Sequence, residues 1–276
     1  MEWNGFWGLL YGAICGLFEF LPASPQAHEA LLLKVFGLSA PGYGMRFAVH
    51  FGALIAVCLA YFGKLAKLAK EKKIASIPLR KRKRNPDMTS LLELRHLKTA
   101  TVPLVLSCLL GPWLLQFMDR LWVLVMLIVL NGVLVLIPQY LMRANKNARG
   151  MSPLDALLTG FGGVIGAIPG FSRIGGLTSA GSVRGLDLQF CTTFVYLLSI
   201  PALGALCVGD LVMLMVSDVA VQTTFIQSVL AWLGAAMAGF GGIQLMRFLS
   251  YKNGFSGFAY YNFGLAMLMF ILYLIG

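Results

Sequence analysis

Apolar residues run along this chain in long stretches without the two-residue alternation of half-buried strands, so its elements read as helices. Six stretches are long enough to cross a bilayer, which takes about 20 apolar residues each. They lie near 46–62, 99–117, 121–141, 188–209, 223–246 and 257–275. Two further apolar stretches are interrupted. Residues 7–35 are broken by Pro22-Ala23-Ser24-Pro25, and residues 154–183 by Pro169-Gly170. Proline removes a backbone donor and restricts the residue before it, so each stretch reads as two short helices meeting at a non-helical point. Irregular backbone at membrane depth survives only inside protein or beside a water-filled cavity, and both broken stretches are expected to be re-entrant.

Charge then sets an orientation. Twelve of the 22 Lys and Arg fall between Lys64 and Lys98, most densely at Arg80-Lys81-Arg82-Lys83-Arg84. Two re-entrant segments put this stretch, 63–98, in the cytoplasm as a basic loop, together with Arg143, Lys146, Arg149, Arg247 and Lys252. Seventeen of the 22 basic residues then share one side, as the positive-inside rule requires, and both termini lie outside. The same loop suits anionic lipid headgroups. Nucleic acid is excluded as a partner despite a net charge of +11, because no aromatic or groove-reading module accompanies the run.

The two halves echo each other. Gly12 and Gly160, Ser24 and Ser172, Gly37 and Gly185, and Leu38 and Leu186 are each 148 positions apart. The first half starts outside and the second inside. The predicted fold is therefore an all-α integral membrane protein of six transmembrane helices and two re-entrant broken-helix segments in an inverted-topology repeat. The first repeat is 1–150 and the second 151–276. Matched broken helices in the two halves point to a binding site near the bilayer midplane.

Composition agrees with a bilayer as solvent. Hydrophobic residues make up 58% and charged residues 12%, against about 25% charged in soluble domains. No cleavable signal peptide is expected, since the first residues lack a basic segment. The five cysteines are scattered through apolar segments and suggest neither disulfides nor a metal cluster.

Polar residues inside apolar segments are costly and mark function. At the first break they are Glu19, Ser24, Gln26, His28 and Glu29; at the second, Ser172, Arg173, Thr178 and Ser179. If the breaks converge, one cavity holds a guanidinium, a carboxylate, an imidazole, hydroxyls and helix N-termini, which is equipment for a phosphate or pyrophosphate. Each residue also has a plainer reading. Arg173 can pair with Glu19, His28 can be a satisfied buried histidine, Ser24 can cap a helix, Glu29 can be a pairing residue, and His50 and Cys15 can simply line or pack the cavity.

Gly16-Leu17-Phe18-Glu19-Phe20-Leu21-Pro22-Ala23-Ser24 followed by His28 resembles the first motif of the bacterial undecaprenyl pyrophosphate phosphatases of the bacitracin-resistance type. Pro169-Gly170-Phe171-Ser172-Arg173 resembles their second motif, and 49–57 resembles their next span, where the family usually has Gln in place of His50. The resemblance implies hydrolysis of undecaprenyl (polyprenyl) pyrophosphate to the monophosphate carrier of peptidoglycan synthesis. The setting would be the bacterial plasma membrane, with the site open to the outer face. It implies Glu19 as acid/base or metal ligand, His28 as base or nucleophile partner, Arg173 as phosphate clamp and Ser172 as a hydroxyl at the site. Ser24, Gln26 and Thr178 join the phosphate-binding set, and Cys15, His50 and Glu29 are cavity-lining candidates. It also implies a Mg or Ca ion. The expected partners are a polyprenyl pyrophosphate or phosphate lipid, the membrane, and a second copy in a homodimer.

The chain departs from the motif in particular places. Cys15 stands where the family has its first acidic residue, Pro25 and Gln26 interrupt the hydroxyls after Ser24, and Ile174 follows Arg173 in place of serine. The anion-binding half is partly kept and the acid/base half depleted. That leaves two readings: a phosphatase, or a relative that binds or flips a polyprenyl phosphate lipid without hydrolysing it.

Overall fold

The computed structural model describes residues 2–109, 120–141, 145–216, 224–251 and 255–275. Eleven α-helices occur among them: α1 (Gly5–Phe18), α2 (Pro25–Phe36), α3 (Tyr43–Ala60), α4 (Phe62–Ser76), α5 (Met88–Leu109), α6 (Leu121–Tyr140), α7 (Pro153–Ile165), α8 (Arg173–Val183), α9 (Leu188–Val216), α10 (Phe225–Tyr251) and α11 (Ser256–Ile275). Among the described residues α3, α6, α9, α10 and α11 are long and apolar enough to span a bilayer. The expected span at 99–117 begins as the second half of α5, and its remainder lies outside the described residues, as do Arg143 and Lys252. The burial pattern is that of a chain solvated by lipid. Val133 on α6, Met267 on α11 and Val102 on α5 face outward, while Asn131, Asn262, Asp155 and Arg173 are buried. This is an all-α, multi-pass membrane protein.

Helices meet across the two halves in a paired way. α1 runs along α10 and α7 runs along α5; α3 packs on α9 and α6 on α11. Two equivalently spaced glycines make the first two contacts possible. A Cβ at Gly12 would collide with the Ala231 carbonyl, and one at Gly160 with the Ala100 carbonyl. Small residues let helix backbones approach this closely in a bilayer, where apolar burial between helices gives little driving force.

The stretch 63–98, expected as a loop, is mostly helical. α4 and the start of α5 form an antiparallel pair around a single 3₁₀ turn, Leu79–Lys81. Its Lys, Leu and Ala are good helix formers. Acidic residues tie the two helices together: Arg84 to Glu71 at 2.5 Å, Lys64 to Glu93 at 2.7 Å and Lys67 to Asp87 at 3.3 Å. Basic density alone does not distinguish a loop from a helix whose charges lie on its outer face.

Candidate active site

Both short-helix pairs break where the sequence places proline and glycine. α1 ends before Pro22, and Ser24 caps α2, accepting a hydrogen bond from the Ala27 N–H at 3.2 Å with Pro25 as first helical residue. At the second break Gly170 adopts φ +94°, which L side chains avoid, and a Cβ there would lie 2.6 Å from Leu127 Cβ. Ser172 then caps α8, accepting from the Gly175 N–H at 3.1 Å. The serines 148 residues apart thus do the same local work.

The loose backbone between the short helices is satisfied by side chains from elsewhere. Ser172 Oγ donates to the Leu21 carbonyl at 2.7 Å, joining one break to the other. Tyr196 O–H donates to the Phe20 carbonyl at 2.7 Å, and Asn262 Nδ2 to the Pro22 carbonyl at 2.9 Å. Asn131 donates to Asn262 Oδ1 at 2.9 Å and accepts the Ser172 N–H at 2.9 Å. Both asparagines are fully buried, one on α6 and one on α11. Unpaired backbone groups at this depth would each cost several kcal/mol in hydrocarbon, so this network lets the breaks exist.

Beside the joined breaks lies a cavity lined by residues of both halves. Arg173, the first residue of α8, lines it and binds Glu19 from the end of α1. The Arg173 Nε is buried and has no hydrogen-bond partner among the described residues. Pro25 and Gln26 bring the start of α2 to the same wall, so the N-termini of both short helices meet the cavity with their positive dipole ends. Two more pairs line the cavity. Arg46 on α3 donates to Glu29 on α2 at 2.6 Å, and His50 Nδ1 lies 2.6 Å from Asp210 Oδ2 on α9.

Of the residues singled out in the sequence, Glu19, Gln26 and Arg173 line this cavity, and so do Cys15, Glu29 and His50. Ser24, His28, Ser172 and Thr178 do not. Ser24 and Ser172 are turned to capping, and Ser24 Oγ also donates to Gln26 Oε1 at 3.2 Å. His28 stacks on Phe18 and uses both ring nitrogens, Nδ1 at 2.7 Å from the Ser24 carbonyl and Nε2 at 2.6 Å from the Tyr261 hydroxyl. It is turned toward α11, away from the cavity. The Thr178 hydroxyl is buried on the far part of α8.

Sequence reasoning missed Arg46, Asp210, Asn131 and Asn262. Arg46 reads as the edge of a span and Asp210 as the start of an outer loop, although α9 continues to Val216. The available signal was an ionisable group next to a long apolar run, which in a membrane marks function wherever it falls.

The profile of the family described as "Bacitracin resistance protein BacA" matches residues 8–268. The chain belongs to the BacA family. An undecaprenyl-diphosphatase of Treponema denticola is 33% identical over 201 residues, covering 72% of each chain. One from Rubrobacter xylanophilus is 29% identical over 279 residues, covering 97% of each. One from Carboxydothermus hydrogenoformans is 25% identical over 274 residues, covering 98% of this chain and 97% of the relative.

The resemblance to the BacA family raised a Mg or Ca ion, and the side chains here do not fit one. Hard divalent cations take six or more oxygens, several from carboxylates. Each cavity carboxylate is already committed to a cationic or imidazole partner: Glu19 to Arg173, Glu29 to Arg46, Asp210 to His50. Among the described residues no three His, Cys, Asp or Glu converge to hold a metal.

Proposed function

We propose that this protein is an undecaprenyl-diphosphatase of the bacterial plasma membrane. It removes the terminal phosphate of undecaprenyl pyrophosphate and returns the monophosphate carrier to cell-wall synthesis. Membership of the BacA family and relatives of that name along nearly the whole chain support this reading. Arg173 carries it: a buried guanidinium at a helix N-terminus, with its Nε unpartnered, in the wall of an ionised cavity. A phosphate arriving there exchanges Glu19 for its own oxygens in a planar, two-point contact. Glu19, released beside the phosphate, is free to accept a proton. Arg46 adds a second guanidinium to the cavity wall. Stabilising the charge on the transferred phosphoryl group is the main catalytic task in such reactions.

The two halves are related as an inverted repeat. The exchanged pairing of α1 with α10 and α7 with α5, and of Asn131 with Asn262, supports that relation. The basic α4–α5 pair belongs on the cytoplasmic side, with the cavity opening outward.

The test is phosphate release from undecaprenyl pyrophosphate by the purified protein in detergent, with Mg or Ca and with a chelator, beside Arg173→Ala. The expected result is release in all three conditions, reduced about 10³-fold or more by the substitution. No release in any condition, from a protein that still binds the lipid through Arg173, would make it a carrier.

A further inference from the structure

We propose that His50, oriented by Asp210, is the general base of this cavity. The proposal rests on the phosphatase reading above and names the group that activates water within it.

The geometry is that of an acid–imidazole pair. Asp210 Oδ2 sits 2.6 Å from His50 Nδ1, and the carboxylate makes no other hydrogen bond among the described residues. An Asp–His contact of this kind fixes the tautomer, leaving the lone pair on Nε2. Nε2 makes no hydrogen bond among the described residues, and the side chain is 21% exposed, toward the cavity. His28 shows the opposite arrangement, with both nitrogens occupied. Of the two imidazoles near the breaks, only His50 has a nitrogen to offer.

The surroundings suit the task. Glu19 from α1 and Arg173 from α8 lie within electrostatic reach of the ring, as does Asp210 from α9. Arg46, one turn earlier on α3, feels Asp210 and Glu29. α10, packed along α3, puts no residue in the cavity wall. A phosphate held by Arg173 therefore lies in the same cavity as the ring. Cys15 is the cavity residue where an acidic partner for Glu19 is absent, and the Asp210–His50 pair supplies proton-accepting capacity in the same cavity.

In the step, Nε2 takes a proton from water as the water oxygen bonds to the terminal phosphorus. The bridging P–O bond breaks, and its electron pair stays on the lipid phosphate. The imidazolium is stabilised by Asp210 and passes its proton to solvent or to the released phosphate. Water and lipid diphosphate become inorganic phosphate and lipid monophosphate, with no other reactant. His50 is the catalytic residue and Asp210 its positioning residue. A purely structural role, pinning α3 to α9, is the competing account.

His50→Gln separates the two, because glutamine keeps a hydrogen bond to Asp210 but accepts no proton. Phosphate release from undecaprenyl pyrophosphate is followed from pH 5 to 9 for wild type, His50→Gln, Asp210→Asn and Asp210→Glu, with thermal unfolding in detergent as a folding control. The expected result is kcat lower by about 10²–10⁴-fold in His50→Gln with little change in KM. The acidic limb of the wild-type profile, where imidazole protonation removes the base, disappears. Asp210→Asn falls similarly and Asp210→Glu recovers part of the loss. A His50→Gln protein that keeps wild-type kcat, or loses activity while retaining the acidic limb, overturns the proposal while leaving the Arg173 reading intact. A wild type that releases no phosphate overturns both.

Discussion

The two walls of the cavity are built by different means. One wall, Glu19 with Arg173, comes from the two helix breaks, where proline and glycine stop the helices and side chains from α6, α9 and α11 hold the freed backbone. The other, Arg46–Glu29 and His50–Asp210, joins α2 to the long helices α3 and α9. The first wall is an anion-binding device made by interrupting secondary structure. The second sets one carboxylate, Glu29, on the short helix α2 and its partner Arg46, with His50 and Asp210, on the long helices α3 and α9. Where the broken stretch carries Cys15, the proposed base His50 stands in the same cavity on the unbroken helix α3.

If the second wall depends on its pairs, the largest effect on folding comes from splitting one. Arg46 and Glu29 have side chains 14% and 6% exposed. Removing one member of a buried pair leaves the other charge uncompensated and costs about 3–5 kcal/mol. Arg46→Ala is expected to destabilise by that amount in detergent unfolding, and Arg46→Ala/Glu29→Ala to recover most of it. A double-variant loss equal to the sum of the two single-variant losses would show that the two residues are not energetically coupled.

The broken wall is probed by its asparagines. Asn131→Leu removes the acceptor for the Ser172 N–H and a partner of Asn262. The Ser172 N–H donor and the Asn262 Oδ1 acceptor left behind predict a loss of about 1–3 kcal/mol. Asn262→Leu strips the Pro22 carbonyl of its 2.9 Å donor and leaves it the 3.4 Å contact from Asn131, so a loss at the lower end of that range is expected. Unfolding midpoints read both. If either variant matches wild type, the view that these side chains make the breaks tolerable fails.

The difference between the walls also explains what was legible in the sequence. Pro22, Pro25, Pro169 and Gly170 announce the breaks because their backbone restrictions are local, and Glu19 and Arg173 stand out by lying within them. Burial of ionisable groups on an intact helix is not local. Arg46 and Asp210 are marked only by what α2 and α3 bring near, and Glu29 finds its partner 17 residues away. Asn131 is harder still, since an amide in a span gains meaning only from a second amide 131 residues on. His28 misleads for the converse reason: its place in the motif is plain, but the tertiary contact with Tyr261 that occupies its Nε2 is not. The helical character of 63–98 was hidden because its ion pairs join residues 13 to 29 apart.

The smallest effect lies outside the cavity, where exposed pairs should behave unlike the buried ones. Asp87 caps the start of α5, accepting from Ser90 Oγ at 2.9 Å and the Thr89 N–H at 3.0 Å, with Lys67 nearby at 3.3 Å. The Ser90 hydroxyl first, then the Thr89 N–H and Lys67, hold its carboxyl at about 2, below the usual 3.8. A carboxyl depressed in the folded state stabilises fully above its unfolded value and loses that contribution as pH falls through its folded value. Asparagine keeps the cap but not the charge. The difference in unfolding midpoint between wild type and Asp87→Asn should therefore be constant above about pH 5 and shrink between about pH 4 and 2. Added salt should weaken the Lys67 part of it at neutral pH, whereas the Arg46–Glu29 cycle, shielded from water, should be nearly insensitive to salt. A difference that stays constant down to pH 2 would show that the Asp87 charge contributes nothing to folding.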